Sequence, residues 1–190
     1  MEINNGTMTF INRIPVLVRV PLKFGSASAL LSMVVMWILY SFGKHPLLIP
    51  LYFDSRIILL LIFIFFAVRE YKEYHGNGML HYWEGMALGI TTYVVMGLLG
   101  GLFILIYDIF DATFVTTYIS GAREGAEKFR DELLNGSQPI KMTEEEFNRH
   151  MEALGRTTSW VLAKDYFIKT CFLGLFIPFI YSAFFRKVNA

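Results

Sequence analysis

The sequence predicts an all-helical membrane protein: four transmembrane helices, with an extramembrane helical hairpin between the third and the fourth. Composition is the first reason, since hydrophobic residues make up 55% of the 190 residues and charged residues only 17%. A soluble domain carries roughly 25% charged residues. The second reason is that the charges cluster between long uncharged stretches, as expected when the hydrocarbon of a bilayer is the solvent. The net charge of +1 gives no support to nucleic-acid binding.

The first predicted span covers about residues 22–42, which is long enough to cross a bilayer core of about 30 Å as a helix. Pro15 and Pro21 interrupt the apolar segment that precedes it. These prolines argue against a cleaved signal peptide. The segment is apolar and carries Arg13, Arg19 and Lys23, so we expect it to lie along the headgroup surface.

The second predicted span, about residues 56–69, is short. Asp54 or Ser55 is expected to cap its N-terminus. Arg56 and Arg69 bracket the uncharged run, and their long side chains are expected to reach outward to the lipid headgroups.

The third span, about 84–107, and the fourth, about 160–186, are the remaining long apolar segments. Glycines recur at helical spacing along one ridge of the third span, with Tyr93 at the missing step. Close helix packing is the common use of such small residues in membranes. The ridge is therefore either a contact face for another copy or a partner protein, or a surface that packs against the first span of the same chain. Its members are Gly85, Gly89, Gly97 and Gly101.

The connection at about 108–159 has the pattern of two amphipathic helices rather than of a linker. One apolar stripe comprises Ile119, Ala122, Ala126, Phe129 and Leu133, and the second comprises Phe147, Met151 and Leu154. Thr143 and Glu146 have the spacing of a capping box that opens the second helix. These features predict an antiparallel hairpin outside the bilayer, with two helices lying flat on the headgroups as the alternative.

Two histidines and a glutamate between the second and third spans, His75, His81 and Glu84, suggest a metal site. Such a site needs three or four convergent ligands, and a glycine-bearing turn separates these histidines. We predict no metal and no cofactor, and assign Trp83 and Trp160 to the membrane interface. Glu84 belongs to the same interface, where its carboxylate favours the positive end of a helix dipole.

The distribution of Lys and Arg predicts the orientation, because cytoplasmic flanks are enriched in both. Three flanks share one side of a four-span protein, so both termini are predicted to be cytoplasmic. The cations of those flanks are Arg13, Arg19, Lys23, Arg69, Lys72, Arg186 and Lys187.

The uncharged cores contain none of the ionisable side chains that mark transport routes, and the sequence contains no recognised catalytic motif. We therefore predict a protein that is not an enzyme: an accessory or scaffold protein that binds itself or a membrane partner. A small transporter or channel is the first alternative. An enzyme that acts on lipid through His81 and Glu84 is the second.

Two stretches carry a resemblance to a known family. The first is "GNGMLHYWEGMALG", with Tyr82, Glu84, Gly85 and Gly89 in the positions of the pattern. The second is "IYDIFDATF", in which Asp111 is present and Ala112 stands where proline is usual. From about residue 22 to 187 the chain resembles a family of four-helix membrane proteins from Bacteroidota that is known only as a domain of unknown function. The resemblance implies an inner-membrane location, and it implies neither an activity nor functional residues.

Overall fold

The computed structural model describes residues 15–50, 53–135 and 142–187, and all its regular elements in these ranges are helical. The predicted all-helical class is confirmed. Three helices, Val16–Ser41, Tyr82–Phe110 and Ser159–Phe185, are each long and apolar enough to cross a membrane, which is compatible with a multi-pass membrane protein. The α-helices are α1 (Val16–Ser41), α2 (Ser55–Tyr74), α3 (Tyr82–Phe110), α4 (Thr113–Lys128), α5 (Arg130–Asn135), α6 (Glu144–Gly155) and α7 (Ser159–Phe185).

Helix α1 begins earlier than predicted. Pro15 is its N-cap residue, and Pro21 lies inside the helix with its side chain buried. A proline near the start of a helix removes only one backbone hydrogen bond, and membrane helices tolerate this where neighbouring helices cover the site. Residues 16–21 of the segment expected along the headgroup surface therefore belong to the same continuous helix as the first apolar span.

Helix α2 starts where the sequence predicted, because the side chain of Asp54 accepts a hydrogen bond from the backbone N–H of Arg56 at 2.9 Å. It has charged residues at both ends, which leaves an uncharged run of only residues 57–68. For this reason α2 is not among the three helices that are apolar enough to span by themselves.

The four long helices pack together, with α3 in the centre, in contact most extensively with α7 and then with α1. Helices α1 and α3 run in the same direction. Ser28 donates a hydrogen bond to the Met96 sulfur at 3.0 Å, and further along both helices the rings of Tyr40 and Tyr107 are 5.8 Å apart. The chain must therefore return between α1 and α3, and α2 makes that return.

One end of this bundle holds several of the cations that the sequence placed on one side; Arg13 lies outside the described residues. Lys23 forms an ion pair with Glu70 at 2.6 Å. The Lys72 ammonium donates a hydrogen bond to the backbone carbonyl of Phe185 at 3.0 Å. Lys187 pairs through its backbone with the residues just before α3. We call this the cationic end, and the other the opposite end.

Helices α4, α5 and α6 lie at the opposite end. The Arg123 guanidinium donates to the Met151 carbonyl at 3.4 Å, and Arg130 forms an ion pair with Glu144 at 2.7 Å. The guanidinium of Arg130 also lies 5.5 Å from the ring of Phe147. Helix α4 therefore contacts α6 directly, with α5 beside them.

The local sequence patterns of this region are only partly recovered. The capping box is confirmed: Glu146 N–H donates to the Thr143 hydroxyl at 3.2 Å, and Thr143 N–H to the Glu146 carboxylate at 2.8 Å. Helix α3 continues to Phe110, three residues beyond the predicted span end at about residue 107. In the two stripes, Phe147 is buried and Phe129 is exposed, the side chain of Leu133 lies outside the described residues, and the others, Ile119, Ala122, Ala126, Met151 and Leu154, are half-buried.

Candidate functional site: a buried arginine in the helical bundle

Arg56 points into the bundle and not outward to the headgroups, so the predicted orientation of its side chain is wrong. Only 7% of the residue is exposed. Its Nε donates to both carboxylate oxygens of Asp54, each at 2.8 Å, and Nη2 donates to the same carboxylate. A planar guanidinium paired in this way makes charge-assisted hydrogen bonds, which are stronger than neutral ones.

The other terminal nitrogen of Arg56, Nη1, is bound by α7. Nη1 donates to the carbonyl of Tyr166 and to the hydroxyl of Thr170, each at 3.2 Å. The guanidinium carbon also lies 4.5 Å from the centre of the Tyr166 ring, within the range of a cation–π interaction. The guanidinium is therefore held by α7 and by the residue that caps α2.

The Tyr166 hydroxyl extends this polar cluster to α1, where it is 2.8 Å from the hydroxyl of Ser32. A cavity of about 20 Å³ lies beside the cluster, which is room for about one water molecule. Ser32, Met36, Leu47, Asp54 and Arg56 are among the residues that line it. The arrangement places a charge within the bundle, beside a cavity that is too small for a solute larger than about one water molecule.

The depth of the cluster follows from the helix register. Ser32 lies nine residues before the end of α1 at Ser41, which is about 13 Å along a helix axis. Helix α2 therefore begins below the opposite end of the bundle. The 3₁₀ turn Pro46–Leu48 lies in the chain that folds back toward it. Irregular backbone is tolerated at such depth where protein covers it.

A second buried polar group, His45, joins this turn to α4. Its Nδ1 is 3.3 Å from the Leu47 N–H and can only accept there, so Nε2 donates to the Phe114 carbonyl at 3.2 Å. The imidazole is therefore neutral, and burial lowers its pKa to about 4. The rings of Tyr40, Phe114 and Tyr118 surround it, and the cluster fixes α4 to the bundle.

The glycine ridge of α3 faces α7. A Cβ added at Gly89 would lie 2.5 Å from Pro178 Cγ, and one added at Gly85 would lie 2.6 Å from Ser182 Oγ. Further along α3, such an atom at Gly97 would be 2.9 Å from the Phe167 ring. The ridge is thus occupied by the chain's own fourth apolar segment, and not by the first span.

The same contact continues at the two other positions that the ridge pattern singled out. Gly101 packs against the Ala163 backbone, where an added Cβ would lie 3.2 Å from the carbonyl oxygen. Tyr93 fills the gap in the ridge and packs against Gly174 of α7. Large and small residues therefore alternate across one continuous helix contact.

Glu84 caps α3, and the histidines near it do not converge on it. Its carboxylate accepts the His81 backbone N–H at 2.8 Å and the Tyr71 hydroxyl at 2.9 Å. Across the described residues, no group of three or more His, Cys, Asp or Glu side chains could hold a metal ion. Trp83 and Trp160 are 58% and 56% exposed. They lie at the starts of α3 and α7, at opposite ends of the bundle.

The sequence analysis did not predict the buried positions of Arg56 and His45. A signal existed in each case. Asp54-x-Arg56 directly precedes a run too short to span, and His45 lies between a helix end and a proline. Neither pattern identifies the partner side chains, which come from α7 and α4.

Comparison with known proteins gives one result. No curated protein and no solved structure matches the chain. Residues 23–187 match the family described as "Protein of unknown function (DUF4199)". The match covers nearly all of the helical bundle, and the chain belongs to that family.

Proposed function

We propose that the protein is a non-enzymatic accessory or scaffold protein of the inner membrane, which presents α4–α6 as a helical hairpin to a partner protein or to a second copy. The observation that carries this proposal is the buried His45 cluster, because it attaches the base of α4 rigidly to the bundle. A unit fixed in this way holds one position relative to the bilayer, as a docking platform requires.

Four spans with both termini in the cytoplasm are part of the proposal. The parallel course of α1 and α3 supports it, since α2 must then traverse the bundle between them. The cations gathered at the cationic end support a cytoplasmic assignment of that end. In a Cys171→Ser background, a membrane-impermeant maleimide should label Lys44→Cys from outside the cell. Arg186→Cys should react only after the membrane is opened; labelling of both from outside would refute this topology.

The hairpin has the chemistry of a protein-binding surface. The contacts of Arg123 and Arg130 with α6 support an antiparallel pairing of α4 and α6. Phe129 remains 59% exposed at the far end of α4. Between residues 108 and 159 the chain has ten acidic and six basic side chains. A partner with a basic surface around an apolar pocket fits this combination.

Site-specific photocrosslinking in native membranes tests the proposal. A photoactivatable residue at Phe129 should give a protein adduct, either a dimer of this chain or one reproducible partner. The matched control is Phe172 of α7, which is also 59% exposed but lies on a lipid-facing surface. The proposal fails if Phe129 gives no protein adduct, or if both positions give the same adducts.

A small transporter or channel is the second candidate, and the Arg56–Asp54 pair favours it because charged groups inside membrane bundles commonly mark ion pathways. The small cavity of about 20 Å³ and the binding of the guanidinium by Asp54 and α7 argue against it. Flux assays in proteoliposomes distinguish the two proposals. If the wild type transports a solute or protons and Arg56→Met abolishes that flux, the transporter proposal replaces the scaffold proposal.

A further inference from the structure

An apolar groove of about 530 Å³ runs between α3 and α7 near the opposite end of the bundle. On α7 its lining extends from Trp160 to Ile168, about 12 Å along the helix axis. The volume lies within the range of pockets that hold small organic ligands. The groove therefore offers a slot of ligand size on the outer surface of the bundle.

The groove exists because small residues form its floor and large ones its walls. Gly97, Gly101 and Ala163 are buried, so little side-chain volume fills the seam between the helices. The exposed leucines Leu98 and Leu102, 57% and 51% exposed, flank the seam on α3. In a membrane such a slot faces lipid, and an acyl chain matches it in polarity.

Among the residues that the structure describes, Lys164 is the only charged one that lines the groove. Its ammonium lies 5.1 Å from the ring centre of Trp160, in the second turn of α7. None of the carboxylates in the described part of the chain forms an ion pair with it, whereas Lys169 one turn further is paired with Asp165 at 2.6 Å. An uncompensated cation beside an interfacial tryptophan is complementary to an anionic headgroup.

We infer that the α3/α7 groove is a binding site for an anionic phospholipid, with one acyl chain in the groove and the phosphate at the Lys164 ammonium. The charge complementarity selects this occupant over a partner helix. A helix that docked by small-residue packing would need bare glycine backbone, but α7 already covers that side of Gly97 and Gly101. This inference is independent of the proposed hairpin partner.

The test is native mass spectrometry of the full chain, delipidated in mild detergent and titrated with dioleoylphosphatidylglycerol. The wild type should bind one lipid tightly. Lys164→Gln should weaken that binding about tenfold, the equivalent of one charge-assisted hydrogen bond, and Lys164→Arg should restore it. Lys44→Gln is the matched control, because Lys44 is an exposed lysine at the same end of the bundle, and it should bind as the wild type does.

A second pair of variants tests the apolar half of the site. Leu102→Trp should fill the groove and displace the lipid, while Leu30→Trp, on an exposed face of α1 that is 63% exposed at this residue, should not. Phosphatidylglycerol with a photoreactive acyl chain should label peptides from residues 97–105 or 160–168. Equal binding by wild type, Lys164→Gln and Leu102→Trp would overturn the inference. The inference would also be overturned if the wild type were a dimer, and if Leu102→Trp dissociated that dimer without changing the amount of bound lipid.

Discussion

Removing the charge of Asp54 while keeping its capping function gives the sharpest test of the buried cluster. The side chains of Arg56 and Asp54 are only 8% and 11% exposed, so solvent cannot replace the lost partner. Breaking a buried ion pair on one side costs about 3–5 kcal/mol. Asparagine caps a helix about as well as aspartate, so the cost of Asp54→Asn should come from the unpaired arginine.

The assay is the apparent Tm in detergent, measured by tryptophan fluorescence and by light scattering. For a chain of this size, 1 kcal/mol corresponds to about 2–4 °C in Tm. Asp54→Asn should therefore lower the Tm by about 10 °C, and Arg56→Met by a similar amount because it leaves the carboxylate unpaired. Arg69→Met is the matched control, since Arg69 lies in an exposed pair on the same helix, and its Tm should stay near that of the wild type.

The double variant Asp54→Asn/Arg56→Met separates pairing from packing. Replacing both members of a buried pair by neutral groups is often close to neutral. The double variant should therefore be more stable than the sum of the single losses, by about 2 kcal/mol or more. Strict additivity, or single variants as stable as wild type, would mean that Arg56 does not depend on Asp54 inside the bundle.

Three further predictions concern other contacts. Gly89→Ala should cost about 1–3 kcal/mol by overpacking against Pro178, whereas Gly125→Ala, whose added Cβ meets no atom within 4 Å, should leave the Tm unchanged or raise it; equal effects would contradict the close α3–α7 contact. His45 has a pKa of about 4 when folded, against an ordinary 6.5, so the unfolded state binds more protons between these values. Stability should fall by about 3 kcal/mol as the pH drops from 6.5 to 4, and His45→Gln should flatten this slope in Tm measurements; an unchanged slope would exclude the buried neutral histidine. Thr143→Ala should cost about 1 kcal/mol of helix stability and speed proteolysis of α6, while Thr143→Ser should not; equal rates would refute the capping role.

Features that depend on neighbouring residues along the chain could be predicted from the sequence. The Asp54 cap, the Thr143 capping box and the long helix α3 follow from local patterns, because their hydrogen bonds close within one or two helical turns. The glycine ridge was also visible as a spacing. Which helix it contacts was not, since any helix with a complementary surface could approach it, and the actual partner is identified by Pro178 and Ser182 of α7.

The orientation of Arg56 could not be predicted for a related reason. An arginine at the edge of an apolar run can reach outward to headgroups or inward to a partner, and the sequence next to it is the same in both cases. The inward orientation needs acceptors at the right depth. Tyr166 and Thr170 supply these acceptors from more than a hundred residues away along the chain. No local sequence pattern near Arg56 predicts them.

The short apolar run of α2 and the buried ion pair are two consequences of the same arrangement. Residues 57–68 provide about 18 Å of helix, against a hydrocarbon core of about 30 Å. Outward snorkelling would leave Arg56 exposed, yet it is 7% exposed. The chain instead begins α2 inside the bundle and covers its charged start with the 3₁₀ turn and α7. A helix that begins at this depth needs its own cap and counter-ion, and Asp54 serves as both.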